Sequence, residues 1–486
     1  MTDDQELGIT ASKEHDTGEW YAEVVQKAEL ASYAPEGMSG FIITRPRGYA
    51  LWEQIQTDLD GRFKQTGVQN TYFPLLIPES YLEREKEIVE GFDPEVAWVE
   101  TAGTQTLEER LAVRPTSESI IAPYLARWVR SHRDLPIRIN QWASVVRWEA
   151  TETKPFFRTK EFLWQEGHTA HADAEEAWAE TLQRLDQYEA VYEETLAIPV
   201  LRGAKPEHDK FPGAVRTTTV EALMPDGKSV QGATSHYLGT GFAEAFDIRY
   251  TDAQEDEQVA HTTSWGLSWR AVGALIMTHS DDQGLVVPPA VAPEQVVVVP
   301  IYNDETRAAV IDTAETVTSR LLDAGVRVHL DDRDGRNPGF KFNEWERKGV
   351  PLRLELGPQE VEAGSVTAVH RPDGRRVELA IESVAADVTA ALEVVHETLL
   401  AAATARLEEN IRAADDRASI LGTLGRHGGY VRTPWCGAVA CETAIKDEIA
   451  ASIVAVPLGD DPVGPDDECG VCGAPAEQTA YFARTY

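Results

Sequence analysis

The chain has 486 residues, 42% of them hydrophobic with 12 Trp, and a formal charge of −36 at pH 7. This composition excludes a disordered acidic polymer, because it supplies apolar side chains for several cores; the length predicts about two to four domains. No apolar run approaches the roughly 18 residues of a membrane span, and the opening Met-Thr-Asp-Asp-Gln-Glu has no secretory pattern, so a cytoplasmic protein with no membrane partner is expected. Lys supplies only 12 of the 45 basic residues and Arg the other 33. Acidic excess with scarce Lys suits a protein dissolved in concentrated salt, where the screening length falls to about 3 Å at 1 M and self-repulsion costs little. The same screening weakens the case that acidity makes against a nucleic-acid partner.

Apolar spacing predicts amphipathic helices over 17–34 and 48–66, the second with Leu51, Ile55, Leu59 and Phe63 four apart. Residues 70–78 are β-prone but broken by Pro74 and Pro78, as an edge strand stopped by proline would be. A helix is expected over 117–129, a strand over 135–148, and a helix carrying Trp178, Leu182, Leu185, Tyr188 and Tyr192. Short strands over 216–222, 245–250 and 258–263 precede a helix over 267–278. Strands flanked by helices in this order predict an α+β domain on an antiparallel sheet. Residues 287–293, with Pro288, Pro289 and Pro293, read as a linker. Beyond it, strands over 296–301, 326–330 and 352–356 alternate with helices over 304–323 and 339–348, predicting a small α/β domain with a largely parallel sheet. A helical 384–415 leads into the tail. The expected domains are 1–290, 291–400 and 401–486.

Residues 147–168 carry the strongest chemical signal. Period two places Arg147 and Glu149 on one face of a strand. A polar, Pro-containing loop follows, then Arg158 and a second strand from Phe162 to His168. Such a hairpin offers cations for phosphates, a carboxylate for an amino edge and a ring for a base. Taken alone, Arg147 and Glu149 suit a surface ion pair better than a site, and His168 and His236 suit hydrogen-bonded core positions; Phe162 and Trp164 also suit a core.

Arg114-Pro115-Thr116-Ser117-Glu118, the 147–168 hairpin, Gln231-Gly232-Ala233-Thr234-Ser235-His236 and Thr263-Ser264-Trp265-Gly266-Leu267-Ser268-Trp269-Arg270 together resemble the class II aminoacyl-tRNA synthetases. Within them they resemble the prolyl-tRNA synthetase family of archaeal/eukaryote-like type, over nearly the whole chain. The resemblance implies an ATP-dependent ligase that makes prolyl-adenylate and passes the prolyl group to tRNA(Pro). It assigns Arg147 and Arg270 to catalysis, and Arg147, Glu149, Arg158, Thr159, Phe162, Gln231, Thr234, Ser268 and Arg270 to ATP with Mg²⁺. It assigns Thr116, Glu118, Arg147, Trp164, Glu166, His168, His236, Ser264 and Gly266 to L-proline. A homodimer through residues 70–78 and anticodon binding by the second domain are also implied. There Arg333, Arg336 and Lys341 stand beside Phe340, a combination that can hold a phosphate and stack a base; three nearby Asp residues equally suit a solvated loop. The short interval from Arg158 to Arg270 predicts no inserted editing domain.

All four Cys lie near the C-terminus, as Cys436-x4-Cys441 and Cys469-x2-Cys472. Two close pairs suit one tetrahedral Zn²⁺ with a structural role, with an iron–sulfur cluster as the chemical alternative. The ending Tyr481-Phe482-Ala483-Arg484-Thr485-Tyr486 is expected to pack on the body. Rival readings are a threonine or serine synthetase, a non-catalytic tRNA-binding paralogue and a metal-binding adaptor. No Cys near the active-site motifs can serve a threonine-type catalytic zinc, and Arg147, Glu149 and Arg270 are all present.

Overall fold

The computed structural model describes residues 8–88, 95–151, 153–459, 463–464 and 466–486. Eleven strands form its main sheet. From one edge, Gln69–Asn70 pairs in parallel with Ile137–Val146. Antiparallel pairing then runs through Glu161–His171, His261–Ser268, Ser229–Gly239, Arg216–Leu223 and Val200–Ala204. The sheet continues into the C-terminal module, where Ala451–Pro457 pairs with Val200–Ala204. Strands Gln478–Arg484, Tyr430–Trp435 and Ile411–Ala413 complete it.

One sheet face carries the core, covered by helices Pro46–Gln65, Ala174–Ala190 and Arg270–His279. Leu51, Ile55, Leu59 and Phe63 are all buried there, as their four-residue spacing requires, together with Leu185, Tyr188, Leu275 and Ile276. A second core under helices Glu118–Trp128 and Gly241–Phe246 holds Ile121, Leu125, Phe242 and Phe246.

Several boundaries differ from the sequence reading. The first helix is Thr17–Lys27, and Ala31–Tyr33 is a strand paired with Ile42–Thr44. The 245–250 run divides between the end of a helix and strand Arg249–Thr251, with left-handed Asp247 (φ 61°) between them. Neither segment is long enough for its period to separate helix from strand. The Pro-rich 287–293 segment is a packed joint rather than a loose tether. Val287, Val291 and Ala292 are buried, and Arg327 donates to the carbonyls of Pro289, Ala290 and Ala292.

The second sheet has five strands and is mixed rather than largely parallel. Val328–Leu330, Val296–Pro300 and Leu352–Leu356 are parallel, whereas Ser365–His370 and Arg376–Ala380 return antiparallel. Helix Val384–Glu409 runs unbroken past residue 400 and stops short of 415. By length and composition, Ile381–Glu409 is long and apolar enough to cross a membrane. Its buried positions nevertheless form one stripe. Val384, Val388 and Leu392 join the core of the second sheet, while Val395 and Leu399 meet Ala197 and Val286 of the first domain. The helix thus bridges two cores along one buried face.

Candidate active site and thiolate cluster

The opposite face of the main sheet bears two adjoining cavities of about 350 and 540 Å³. Arg147, Phe162, Ser268 and Arg270 line both. The smaller cavity adds Thr116, Glu118, Trp164, Glu166, His168, Gln231, Thr234, His236, Ser264 and Gly266; the larger adds Glu149, Arg158 and Thr159. Every candidate active-site residue therefore lies at one composite hollow.

The hairpin geometry needs one correction. The first strand ends at Val146, so Arg147 leaves it and Glu149 sits in the turn beyond rather than on a strand face. Arg147 Nε donates to the Pro115 carbonyl at 3.4 Å, and its guanidinium lies 5.3 Å and 5.7 Å from the rings of Phe162 and Trp164. Its side chain is solvent-exposed at the junction of the two cavities. Arg270 opens its helix and donates to the carbonyls of Phe157 (3.2 Å) and Gln231 (3.4 Å). Thr159 Oγ1 already donates to the Glu161 carbonyl at 2.6 Å. At the hairpin tip Phe156 is buried at φ 63°, a left-handed conformation held by its edge contact with Trp269 at 5.4 Å.

The floor of the smaller cavity is acidic. The ligating atoms of Glu118, Glu166 and His168 lie within 4.8 Å of one another, and all three residues are buried. Glu118 accepts from Thr116 Oγ1, and Glu166 from Ser117 Oγ and from Gln141 Nε2 at 2.7 Å. Burial disfavours a charged His168, but the hydrogen bond to Glu166 and the nearby carboxylates outweigh it and raise its pKa. Burial beside His168 pushes His236 down to about 3, so that ring is neutral. Hydroxyls of Thr217 and Thr234 lie 3.0 Å from its two nitrogens. Trp164 Nε1 and Ser264 Oγ are buried without a partner.

Sequence reasoning missed Gln141 and the rim Lys205, Asp209, Lys210, Phe211 and Pro212. It also missed Lys154, Lys228 and the C-terminal residue at the larger cavity. Lysine scarcity was the available signal, since four of the 12 Lys line the two cavities. Tyr486 packs its ring against Phe157 (4.8 Å, 11°), its hydroxyl donates to Asp226 at 2.6 Å, and Lys154 and Lys228 each lie 4.8 Å from its centroid.

In the C-terminal module the four Cys converge. Cys436 Sγ lies 3.6 Å from Cys441 and 3.7 Å from Cys472, and Cys469 lies 4.0 Å from Cys441. Four thiolates about 2.3 Å from a tetrahedral metal sit about 3.8 Å apart, so this set fits one ion. In the second domain only part of the expected basic cluster faces outward. Arg333 pairs with Asp331 and Glu344, and buried Lys341 donates to the Asp331 carbonyl at 2.8 Å. Arg336 stands exposed, 4.3 Å from the Phe340 ring.

An antiparallel sheet with this cavity, hairpin and helix-opening Arg defines a class II aminoacyl-tRNA synthetase. The description "tRNA synthetase class II core domain (G, H, P, S and T)" matches residues 98–279, "Anticodon binding domain" 295–390, and "Prolyl-tRNA synthetase, C-terminal" 419–486. The chain is 67% identical to the proline–tRNA ligase of Haloquadratum walsbyi over all of both chains. It is 70% identical to that of Natronomonas pharaonis, covering 99% of this chain and all of the relative. A crystal structure of Cryptosporidium parvum prolyl-tRNA synthetase complexed with halofuginone and AMPPNP superposes with a TM-score of 0.93 at 42% identity, covering 99% of this chain and all of that one. The chain belongs to the proline–tRNA ligase family: it activates L-proline with ATP and transfers it to tRNA(Pro). The relatives in halophilic archaea agree with the salt-adapted composition. Between Arg158 and Arg270 the chain is described throughout and contributes helix Ala174–Ala190 and strands of the same sheet, with no inserted domain.

Proposed function

We propose that the smaller cavity takes proline and the larger one ATP, so that proline carboxylate and α-phosphate meet where Arg147, Phe162, Ser268 and Arg270 are shared. The sharing of these four residues by two cavities of different chemistry carries the reading. Proline's imino cation suits the Glu118–Glu166–His168 floor, and its ring the faces of Trp164 and Phe162. Trp164 Nε1 and Ser264 Oγ supply unspent donors. Thr116 and His236 complete the wall, and Gly266 leaves it open.

For ATP, Glu149 accepts from the adenine amino group, Phe162 stacks on the base and Arg158 meets the outer phosphates. Thr159 and Ser268 hold the remainder, and Gln231 and Thr234, which line the smaller cavity, meet it at the boundary that Arg270 shares. Mg²⁺ accompanies ATP and offsets phosphate charge. Attack by the proline carboxylate on the α-phosphorus expels pyrophosphate, and Arg147 and Arg270 stabilise the charge gathered there. The tRNA terminal hydroxyl then displaces AMP from the adenylate.

The remaining assignments follow the same pattern. The four thiolates hold a structural Zn²⁺, because a closed sulfur shell leaves no position for water. Residues 70–78 form a homodimer interface, supported by Tyr72 at 68% exposure and Leu75 at 40%. Residues 1–290, 291–400 and 401–486 act as catalytic, anticodon-binding and metal-binding domains of a cytoplasmic enzyme. Proline-dependent pyrophosphate exchange tests the site: Arg147→Ala abolishes it with folding intact, and parental exchange in that variant would remove the assignment.

A further inference from the structure

The segment between strands Val200–Ala204 and Arg216–Leu223 forms a rim of the smaller cavity through Lys205, Asp209, Lys210, Phe211 and Pro212. On its inner side, Phe211 lies 4.6 Å from the His236 ring. The Phe211 amide donates to Thr217 Oγ1 at 2.9 Å, and that hydroxyl also meets His236 Nδ1 at 3.0 Å. The rim thus seats on the same histidine that walls the cavity.

Its outer side faces the C-terminal module. His208, in the turn Glu207–Asp209, makes a hydrogen-bonded contact through Nε2 with Glu442 Oε2. Glu442 directly follows Cys441 on helix Val439–Ile449. Its other oxygen accepts from the Ile453 amide at 3.0 Å, and its side chain is 7% exposed. A buried carboxylate fixed by a main-chain amide is a rigid post, unlike a solvated surface ion pair. The same module also grips the root of the rim. Val456 and Pro457 pair with Ala204 and Gly203, and a Cβ on Gly203 would lie 2.6 Å from the Val456 carbonyl oxygen. A third tie runs inward: Lys205 Nζ lies 2.9 Å from Glu221, which accepts from Ser229 Oγ at 2.8 Å, and Ser229 Oγ lies 3.0 Å from Tyr430 Oη.

We propose that His208 and Glu442 are positioning residues for amino-acid recognition: through them the C-terminal module holds the 205–212 rim against His236 and closes the proline side of the site. This rests on the assignment of the smaller cavity to proline. Neither residue lines the cavity, so their effect is transmitted through the rim. Loss of the contact frees the rim at its crown while the larger cavity keeps its walls. Proline affinity should therefore fall and ATP affinity should not.

The test is pyrophosphate exchange with the purified full-length protein in concentrated salt, varying proline and ATP separately. His208→Ala should raise the KM for proline about tenfold, the scale of one charge-assisted hydrogen bond. Its kcat, ATP KM and melting temperature should stay near parental values. His208→Gln, whose amide N–H can still donate to Glu442, should restore most of the proline KM, a rescue that a merely structural role does not predict. Adding Glu442→Ala to His208→Ala should cost no more than Glu442→Ala alone. Arg417→Ala, which breaks the exposed Arg417–Glu448 contact on the same module, should leave both KM values unchanged. The proposal is overturned by a proline KM in His208→Ala within about twofold of parental, by equal rises for proline and ATP, or by failure of His208→Gln to rescue. Glu118→Gln separates the two levels of argument. It raises the proline KM if the cavity takes proline, whatever His208 does; an unchanged KM there refutes the cavity assignment instead.

Discussion

Gly167 lies between Glu166 and His168, where added volume has nowhere to go. A Cβ there would meet three ring atoms of Trp265 at 2.1–2.2 Å. Ordinary carbon–carbon contact begins near about 3.5 Å, so ring and strand must separate by about 1.4 Å. Trp265 cannot yield easily: it is 1% exposed, packed 4.7 Å from the Phe63 ring and capped by Arg184 at 5.3 Å. The strand must yield instead, carrying Glu166 and His168 with it. Gly167→Ala should therefore destabilise by about 1–3 kcal/mol, the usual cost of overpacking. It should also lower kcat/KM for proline about 100-fold, since a misplacement near 1 Å costs that much. Gly266 supplies the contrast. It pairs with Glu166 across the strands, but a Cβ there meets only the Gln165 carbonyl oxygen at 3.3 Å and the Trp164 ring at 3.8 Å. Gly266→Ala should weaken proline binding with little loss of stability. Denaturant melts and proline-dependent pyrophosphate exchange measure both variants. Parental stability and parental proline KM in Gly167→Ala would refute the account of this floor.

Other outcomes follow from the same geometry. Chelating the metal proposed for the four thiolates should unfold the C-terminal module, read as faster proteolysis after residue 409, and restored metal should reverse it; unchanged digestion would count against a structural ion. Deleting Tyr486 removes an aromatic pair and two cation–π contacts, each worth about 0.5–1.5 kcal/mol; the ATP KM should rise about tenfold while the proline KM holds. Burial pushes Lys154 down to about 8. Its charge is therefore present below that pH and lost above it, so ATP KM should climb above pH 8. Lys154→Met should show a raised, pH-flat ATP KM, and a slope that survives the substitution would exclude Lys154 as its source.

The chemistry of the site was legible because it is carried by residue types at short spacings: Thr116 with Glu118, Arg147 with Glu149, Glu166 with His168, and two Cys pairs. The mixed sheet of the second domain was missed. Strands Ser365–His370 and Arg376–Ala380 were not read from the sequence, although Pro372-Asp373-Gly374 between them marks a tight turn, and a link that short allows only an antiparallel pair. The helix that ends at Lys27 was overextended because Ala31–Tyr33, Ala-Ser-Tyr, is too short to show an alternation, and the break falls at left-handed Glu29 (φ 63°) rather than at a glycine.

What the sequence determined by itself was the inventory: acidic solubility, an ATP-and-proline set of side chains, four thiolates and helices with one apolar stripe. These depend on local periodicity and on functional groups that must be present for the reaction. What only the tertiary structure decided was adjacency across hundreds of residues. Arg147 and Glu149 took their places from a turn, not a pleat. Tyr486 came to rest on Phe157, and Glu442 against His208. No local rule encodes those contacts. They exist because Ala451–Pro457 completes the hydrogen bonding of the edge strand Val200–Ala204 and brings the end of the chain to the site.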